Sequence, residues 1–462
     1  MQRCSMGDDA HMNVTIIGTG YVGLTTGLSL SYLGHDVTCV DVKNDVVERL
    51  RAGTPTIYEQ GLPELLSQVK DKTRFQTSIP PLKGRGVVLI AVGTPTRADG
   101  DADLQYVDQA ARDVAAAIQS GAELVVVNKS TVPIGSARHV EGIIGRELEA
   151  RNVDAHIAVA SNPEFLAEGR AMHDTFYPDR IVIGADEPWA IATLRELYQP
   201  LLEQTFEPPL ATPRPERYPL PSVITTSTTS AELTKYAANS FLATKVSFIN
   251  ECAGLAEHVG ADVTQVARAI GLDARIGPRF LHAGIGWGGS CFGKDTRAII
   301  ATALRYDYAM PIVQSAIDVN YRQRLRVIGK LQEHLKVLRG TTVGLLGLAF
   351  KAGTDDLRDA PAITLAQHLL ERGAVVCAHD PIAMPHAREQ FPDLGIDYAE
   401  DELALARNCD ALVVVTEWDQ YRHLDWQALA EVMRGTVVLD ARNALRPETV
   451  RAAGLTYVGV GR

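Results

Sequence analysis

The first 160 residues alternate short apolar runs with polar, glycine-bearing turns, the spacing expected of strands separated by helices. Val14 to Gly18 (VTIIG) form the first strand, the glycine turn follows, and an apolar helix continues through Leu33. Gly34 and His35 end that helix, and residues 36–41 (DVTCVD) give a second strand. Further strands are predicted at 86–92, 124–129 and 156–160. Strand, glycine turn, helix and a strand ending in an acid make the opening of a dinucleotide-binding βαβ unit. The continued alternation predicts a parallel, doubly wound sheet.

From 205 to 230 the pattern breaks into a stretch rich in proline and threonine (EPPLATPRPERYPLPS, then TTSTTS). It reads as a loop around an edge strand at 222–226, with a flexible flap as the alternative. Residues 230–259 read as a long helix whose alanine, leucine and phenylalanine stripe must be buried, against the middle of the protein and a second copy of the chain. From 341 the alternation restarts with TVGLLGLAF, a helix near 362–372, then AVVCAHD, ALVVVTEW and TVVLDAR. The turn Gly344-Leu345-Leu346-Gly347 lacks the full glycine fingerprint, so this half is expected to take a nucleotide-bearing substrate and no second dinucleotide. The predicted architecture is α/β: two Rossmann-like, doubly wound parallel-sheet domains joined by a long central helix. The expected divisions are a flexible extension (1–12), a dinucleotide-binding domain (13–222), a central helical dimerisation domain with a cysteine loop (223–335) and a second Rossmann-like domain (336–462).

Composition narrows the function classes. At 462 residues the chain exceeds one ordinary core. A net charge of −11 argues against general binding to nucleic acid or anionic membranes. No apolar run reaches the roughly eighteen residues of a membrane span, and residues 1–12 lack the apolar centre of a secretory signal. The cysteines are scattered without C-x-x-C pairs; Cys39, Cys252 and Cys377 read as small buried hydrophobes, and a reducing cytoplasm fits this usage. No His/Cys cluster has zinc spacing, so no metal is expected.

The sharpest chemical signal is the run GWGGSCFGKD, 286–295. It places Cys291 in a glycine-rich turn with Lys294 and Asp295 close behind. Glycines let backbone approach a substrate, and local positive charge favours the nucleophilic thiolate. With the turn Gly18-Thr19-Gly20-Tyr21-Val22-Gly23, this suggests oxidation by a nicotinamide cofactor through a covalent thiohemiacetal. Asp41, at the end of the second strand, suits both ribose hydroxyls and repels a 2′-phosphate, which favours NAD over NADP. Glu164 and Glu168 lie four apart in NPEFLAEG and would share a face if that segment is helical; a solvated helix start is the plainer alternative. Glu232, Lys235 and Asn239 lie along one stripe of the long helix. Lys235 and Asn239 are one turn apart, a cation and an amide suited to a developing oxyanion. An exposed Glu–Lys pair is the alternative, weakened by the apolar neighbours Ala237, Ala238 and Phe241.

At this point the residues resemble a family, the nucleotide-sugar 6-dehydrogenases of the UDP-glucose/GDP-mannose dehydrogenase type. The resemblance rests on GTGYVG (18–23), VGTPT (92–96), KSTVP (129–133), SNPEFLAEG (161–169), AELTKYAANSF (231–241), GGSCFGKD (288–295) and GLAFKAGTDDLRDAP (347–361). It implies two Rossmann-like domains, a dimerising helix, and oxidation of a sugar C6 alcohol to a carboxylate with two NAD⁺. The implied NAD contacts are Gly18, Gly20, Tyr21, Val22, Gly23, Asp41 and Lys43, then Gly93, Thr94, Thr96, Thr131, Glu168, Lys294 and Arg358. The implied substrate contacts are Glu164, Phe165, Leu166, Lys235, Asn239 and Gly288, the loop Phe280, Leu281, His282, Ala283 and Gly284, and Lys351 and Arg442. Arg275 resembles an arginine that reaches the partner subunit's sugar. The implied catalytic set is Cys291, Lys235, Asn239, Asp295, Glu164 and Thr131, with Glu164 as the base for thioester hydrolysis.

Relatives acting on N-acetylated sugars have histidine before the cysteine and no lysine–aspartate after it. Ser290 and Lys294-Asp295 therefore favour UDP-glucose. Phe292 stands where GDP-mannose relatives tend to have leucine. GDP-mannose or another nucleotide sugar remains the alternative substrate. A two-electron hydroxyacid dehydrogenase and a silent nucleotide-sugar-binding regulator are alternatives of other classes. The first would not require Cys291, and the second would be expected to have lost Cys291, Lys235 or Asp295.

Overall fold

A computed structural model describes residues 11–462, so the extension expected at 1–12 falls outside the described residues as far as residue 10. The chain forms two compact units, one ending at Ala237 and one running Ala238–Arg462. The division falls inside one helix, Thr228–Val259.

In the first unit, β1 (Asn13–Ile17), β2 (Asp36–Val40), β3 (Arg74–Gln76) and β4 (Arg85–Ile90) are followed by β5 (Glu123–Asn128), β6 (His156–Ser161), β7 (Arg180–Gly184) and β8 (Ser222–Thr226). They lie in the order β3-β2-β1-β4-β5-β6-β7-β8. Helices on both faces explain why β1, β2, β4 and β5 are buried beyond their first residue and read as continuous apolar runs. The expectation of a parallel sheet holds from β3 through β6. It fails at β7, which meets β6 through one antiparallel bridge, Ser161↔Gly184, and pairs with β8 in parallel. The β6–β7 connection contains only the short helix Ala171–Phe176, too brief for a full crossover layer.

The edge strand expected at 222–226 is present as β8. The proline-rich stretch before it is a packed strap, which disfavours the flap reading. Tyr32 donates to the Glu207 carbonyl at 3.0 Å, and the buried Tyr177 hydroxyl donates to that of Thr212 at 2.9 Å. The rings of Tyr177, Phe206 and Tyr218 pack on one another beside the core.

In the second unit, β9 (Thr342–Leu346), β10 (Val375–His379), β11 (Asp397–Tyr398), β12 (Ala411–Val414), β13 (Val437–Asp440) and β14 (Thr456–Gly459) form a parallel sheet. Its order is β11-β10-β9-β12-β13-β14. The helices Phe292–Leu304 and Pro311–Leu335 precede it. Among the described residues, no helix is long and apolar enough to cross a membrane.

Candidate active site

The glycine turn after β1 is built by steric necessity. Gly18 has φ +93, and a Cβ there would lie 2.6 Å from the Ala91 carbonyl oxygen. A Cβ on Gly23 would lie 1.9 Å from the Gly18 oxygen, so the helix Tyr21–Tyr32 seats against its own turn. Gly20 differs: its Cβ position meets nothing within 4 Å. Open space at a helix N-terminus, where first-turn N–H groups have no acceptor within the helix, suits a pyrophosphate. Asp41 is half-exposed beyond β2 and is oriented by Thr19, whose N–H and hydroxyl donate to Oδ2 at 3.1 and 2.6 Å. The Lys43 N–H donates to Oδ1. At the ends of β4 and β5, the Thr94 hydroxyl donates to the Thr131 carbonyl at 2.8 Å and Ser130 to that of Val92 at 2.7 Å. Gly93 and Thr96 are exposed on the same loop. These groups fit a dinucleotide: amides for phosphate, a carboxylate for ribose, and strand-end loops beyond.

The second unit repeats the strand–turn–strand plan but encloses its acid. Asp380, just beyond β10, is completely buried. It accepts from the N–H groups of Leu348, Ala349, Ile382 and Ala383 and from the Trp418 indole. A carboxylate engaged on all sides offers nothing to a ribose, which agrees with the missing glycine fingerprint.

The segment carrying Glu164 and Glu168 is not helical; it leaves β6 as an irregular loop with a turn at 168–170. The two carboxylates therefore do not share a helix face. Pro163 restricts the residue before it, and Glu164 turns back so that Oε2 accepts from the Leu166 N–H at 2.6 Å. Its Oε1 lies 2.9 Å from Lys235 Nζ, with side chains 8% and 4% exposed, so the pair is desolvated. Burial raises the Glu164 pKa, but the Lys235 charge and hydrogen bond, the Leu166 amide and Lys129 outweigh it, leaving it below the ordinary value. Phe165 lies between two cations, Arg180 at 3.7 Å and Lys235 at 5.5 Å from its ring centre. Leu166 and Glu168 are half-buried beyond it.

Glu232 takes no surface role. Its carboxylate is buried and accepts from the N–H groups of Gly135 and Ala137 and from the Ser161 hydroxyl. It thus fastens the start of the helix Ser136–Ala150. Lys129 was not singled out in the sequence. It is buried, donates to Asn162 Oδ1 at 2.8 Å, and shares that acceptor with the Tyr198 hydroxyl. Burial pushes its pKa down to about 8, with Glu164 opposing and Lys235 assisting.

In the second unit, Cys291 is half-exposed at the N-cap of the helix Phe292–Leu304. Its Sγ lies 3.4 Å from the Ser290 hydroxyl. The preceding glycines are sterically required. A Cβ on Gly286 would sit 2.4 Å from Asn320 Oδ1, on Gly288 2.3 Å from the Asp359 oxygen, and on Gly289 inside the Phe350 ring. The helix Pro311–Leu335 holds this loop by its backbone. Asn320 accepts from the Trp287 N–H and donates to the Trp287 carbonyl, which also accepts from Arg324. Gln323 donates to the Gly284 carbonyl. These three residues were not singled out from the sequence. Their signal was available: at i, i+3 and i+4 they interrupt an otherwise apolar stripe of Val313, Ala316, Val327, Ile328 and Leu331.

Asp295 is 1% exposed, with Oδ1 2.6 Å from Lys294 Nζ and Oδ2 accepting from the Asn239 amide at 2.6 Å. An amide hydrogen of Asn239 is therefore already used on Asp295. Arg442 donates to the carbonyls of Val415, Gly286 and Phe350, and lies 3.2 Å from Glu417. Arg358 pairs with Asp356, and Lys351 Nζ lies 5.4 Å from the Phe350 ring centre. Arg275 is almost fully exposed and pairs with Asp273. Phe280 has φ +66 and its ring lies 6.1 Å from that of Phe292. Leu281, His282, Ala283 and Arg442 border a cavity of about 340 Å³ in this unit.

Two outcomes are expected. Gly20→Val should leave the melting temperature unchanged yet raise the NAD⁺ dissociation constant at least about tenfold, measured by calorimetric titration, because the new side chain enters space reserved for ligand. Lys129 is depressed from 10.5 to about 8, so between these pH values the unfolded chain holds a proton that the folded chain has lost. Stability relative to Lys129→Met should therefore rise with pH across that window, by a few kcal/mol (about 3) in urea unfolding.

Comparison with known proteins finds matches along most of the chain. Residues 12–202 match the NAD-binding domain model of the UDP-glucose/GDP-mannose dehydrogenase family, 229–322 its central domain and 344–447 its UDP-binding domain. A UDP-glucose 6-dehydrogenase of Rhizobium meliloti is 44% identical over 98% of this chain and 100% of its own. One of Bacillus subtilis is 40% identical over 98% of both. The structure of a UDP-glucose dehydrogenase from Pyrobaculum islandicum superposes with a TM-score of 0.84 at 39% identity over 99% of each chain. A UDP-D-ManNAc dehydrogenase from Pyrococcus horikoshii gives 0.82 at 25% identity, covering 98% of this chain and 99% of its own. With a glycine turn and an acid that suit a dinucleotide, a cysteine on a glycine-rich loop, and all three domain models in order, this chain belongs to the UDP-glucose/GDP-mannose dehydrogenase family, as an NAD-dependent oxidoreductase.

Proposed function

We propose that this protein oxidises the C6 alcohol of UDP-glucose to the carboxylate of UDP-glucuronate, through a covalent intermediate on Cys291. The observation that carries the reading is Cys291 itself, half-exposed at a helix N-terminus on a loop that admits only glycine at 286, 288 and 289. Bound by the 18–23 turn and Asp41, NAD⁺ would accept one hydride in each of two successive two-electron oxidations. Asp295, directly or through a water shared with Thr131, takes the C6 hydroxyl proton. The Cys291 thiolate adds to the resulting aldehyde, and Lys235 with Asn239 stabilises the oxyanion. After the second oxidation a thioester remains. Glu164, kept ionised by Lys235 and Lys129, accepts a proton from the attacking water, and the acid leaves as the thiolate is restored. The covalent bond keeps the aldehyde from escaping between oxidations.

The substrate reading rests on Ser290, Phe292 and the Lys294-Asp295 pair, and on the names of the full-length relatives. NADH formed per UDP-glucose consumed, read by absorbance with UDP-N-acetylglucosamine and GDP-mannose in parallel, tests it. Two NADH with UDP-glucose and little with the others is expected. One NADH would contradict the thioester route, and two with a different sugar would replace the substrate. Cys291→Ser should abolish acid formation while leaving substrate binding largely intact.

We also propose that a second copy of the chain covers the long helix. Phe241, Phe248 and Leu255 recur at seven-residue spacing and are 65%, 53% and 65% exposed. Exposed Arg275 is then free to reach a neighbouring subunit's sugar. Sedimentation should show a dimer for the wild type and a monomer for Phe248→Glu; a wild-type monomer at micromolar concentration would refute this.

A further inference from the structure

The loop leading into the helix Leu62–Val69 has no part in the chemistry proposed above, yet it carries an enclosed carboxylate. Glu59 is only 3% exposed. Its Oε2 accepts from the Gly169 N–H and its Oε1 from the Ala171 N–H, both at 2.7 Å. Charge-assisted bonds of this kind are stronger than neutral ones, and a buried carboxylate that lost them would be costly. Ala171 opens the short helix Ala171–Phe176, so its N–H has no acceptor within that helix. Gly169 sits at φ +78 in the turn that follows Glu168. Glu59 therefore grips both sides of the turn from 110 positions away in the chain.

The adjacent residue makes the second connection. The Tyr58 carbonyl accepts from the Tyr21 hydroxyl at 2.6 Å, and Tyr21 is the first residue of the helix that follows the dinucleotide turn. The loop is itself supported, because a Cβ on Gly61 would touch Ala211 of the proline-rich strap at 3.2 Å. One dipeptide thus links the cofactor turn to the segment that carries Glu164 and Glu168. Glu164 itself is held by Lys235 and by the Leu166 N–H, and the Ala167 N–H donates locally to Asp174; the Glu59 bonds tie the turn beyond them to the loop before Leu62.

We propose that Glu59 is a positioning residue for the reaction: it holds the 168–171 turn in register with the dinucleotide turn, so that Glu168 meets NAD⁺ and Glu164 keeps its place for hydrolysis. This rests on the roles proposed above for those two carboxylates. A glutamine at 59 keeps the size but turns one acceptor into a donor facing an N–H, so one of the two grips is lost.

The test uses the full-length enzyme with Glu59→Gln. The expected result is a fall in kcat of about tenfold or more, as for a displaced reacting group, and a raised KM for NAD⁺. The KM for UDP-glucose should stay within about twofold and two NADH should still form per sugar. A kcat and both KM values within about twofold of wild type would overturn the proposal, as would equal rises in both KM values with a lowered melting temperature. If Glu59→Gln does not fold, amide hydrogen exchange on the wild type decides: Gly169 and Ala171 should exchange more slowly once NAD⁺ is added, and unchanged exchange refutes the link. A wild type that forms one NADH per sugar would sink the thioester reading instead, and the exchange measurement would still judge Glu59.

Discussion

Burying a polar side chain is costly unless it is paired, and three side chains of one helix show how that cost is met. Glu232, Lys235 and Asn239 of Thr228–Val259 are all buried, and each is matched. Glu232 fastens the start of a neighbouring helix, Lys235 neutralises Glu164, and Asn239 holds Asp295. Removing one member of a buried ion pair costs about 3–5 kcal/mol, because the other charge is left without water or partner. The side chains proposed to carry the chemistry are thus also structural obligations. Their orientation is fixed before substrate arrives.

The cysteine loop follows the same logic with backbone groups. A run of glycines has no side chains to pack, and enclosing it exposes its N–H and C=O groups to desolvation. Asn320, Gln323 and Arg324 supply the missing partners from a helix otherwise apolar on that face. Cys291 gains a rigid mount at the head of the next helix. The two Rossmann-like sheets show how one plan yields two uses: Asp41 stays half-open beside a turn with free space at Gly20, whereas Asp380 is sealed by amides and an indole.

Much of this was legible in the chain. The strand runs, the turn at 18–23 and the long helix each carry a local signal of period or glycine placement, and each is present. The glycine-rich turn before Cys291 was legible as a turn. The shared face of Glu164 and Glu168 was conditional on a helix, which is absent: the Glu164 carboxylate bonds back to the Leu166 N–H in a local turn, and four-residue spacing carries weight only in helical backbone. The reversal at β7 was invisible because strand direction depends on the connection and not on the strand's own residues. Lys129, Glu59 and the Asn320–Arg324 group act on partners far away in sequence, so no local pattern announces them; only the polar break in an apolar stripe hinted at the last.

The central claim is that carbon–sulfur bonding at Cys291 joins the two oxidations. It is tested most directly by acid-quenching the enzyme during turnover of UDP-glucose with NAD⁺ and mapping the Cys291 peptide by mass. A hydroxylamine-labile UDP-glucuronyl group is expected on that cysteine, absent without NAD⁺. An unmodified Cys291 at every time point, while two NADH form per sugar, would contradict it.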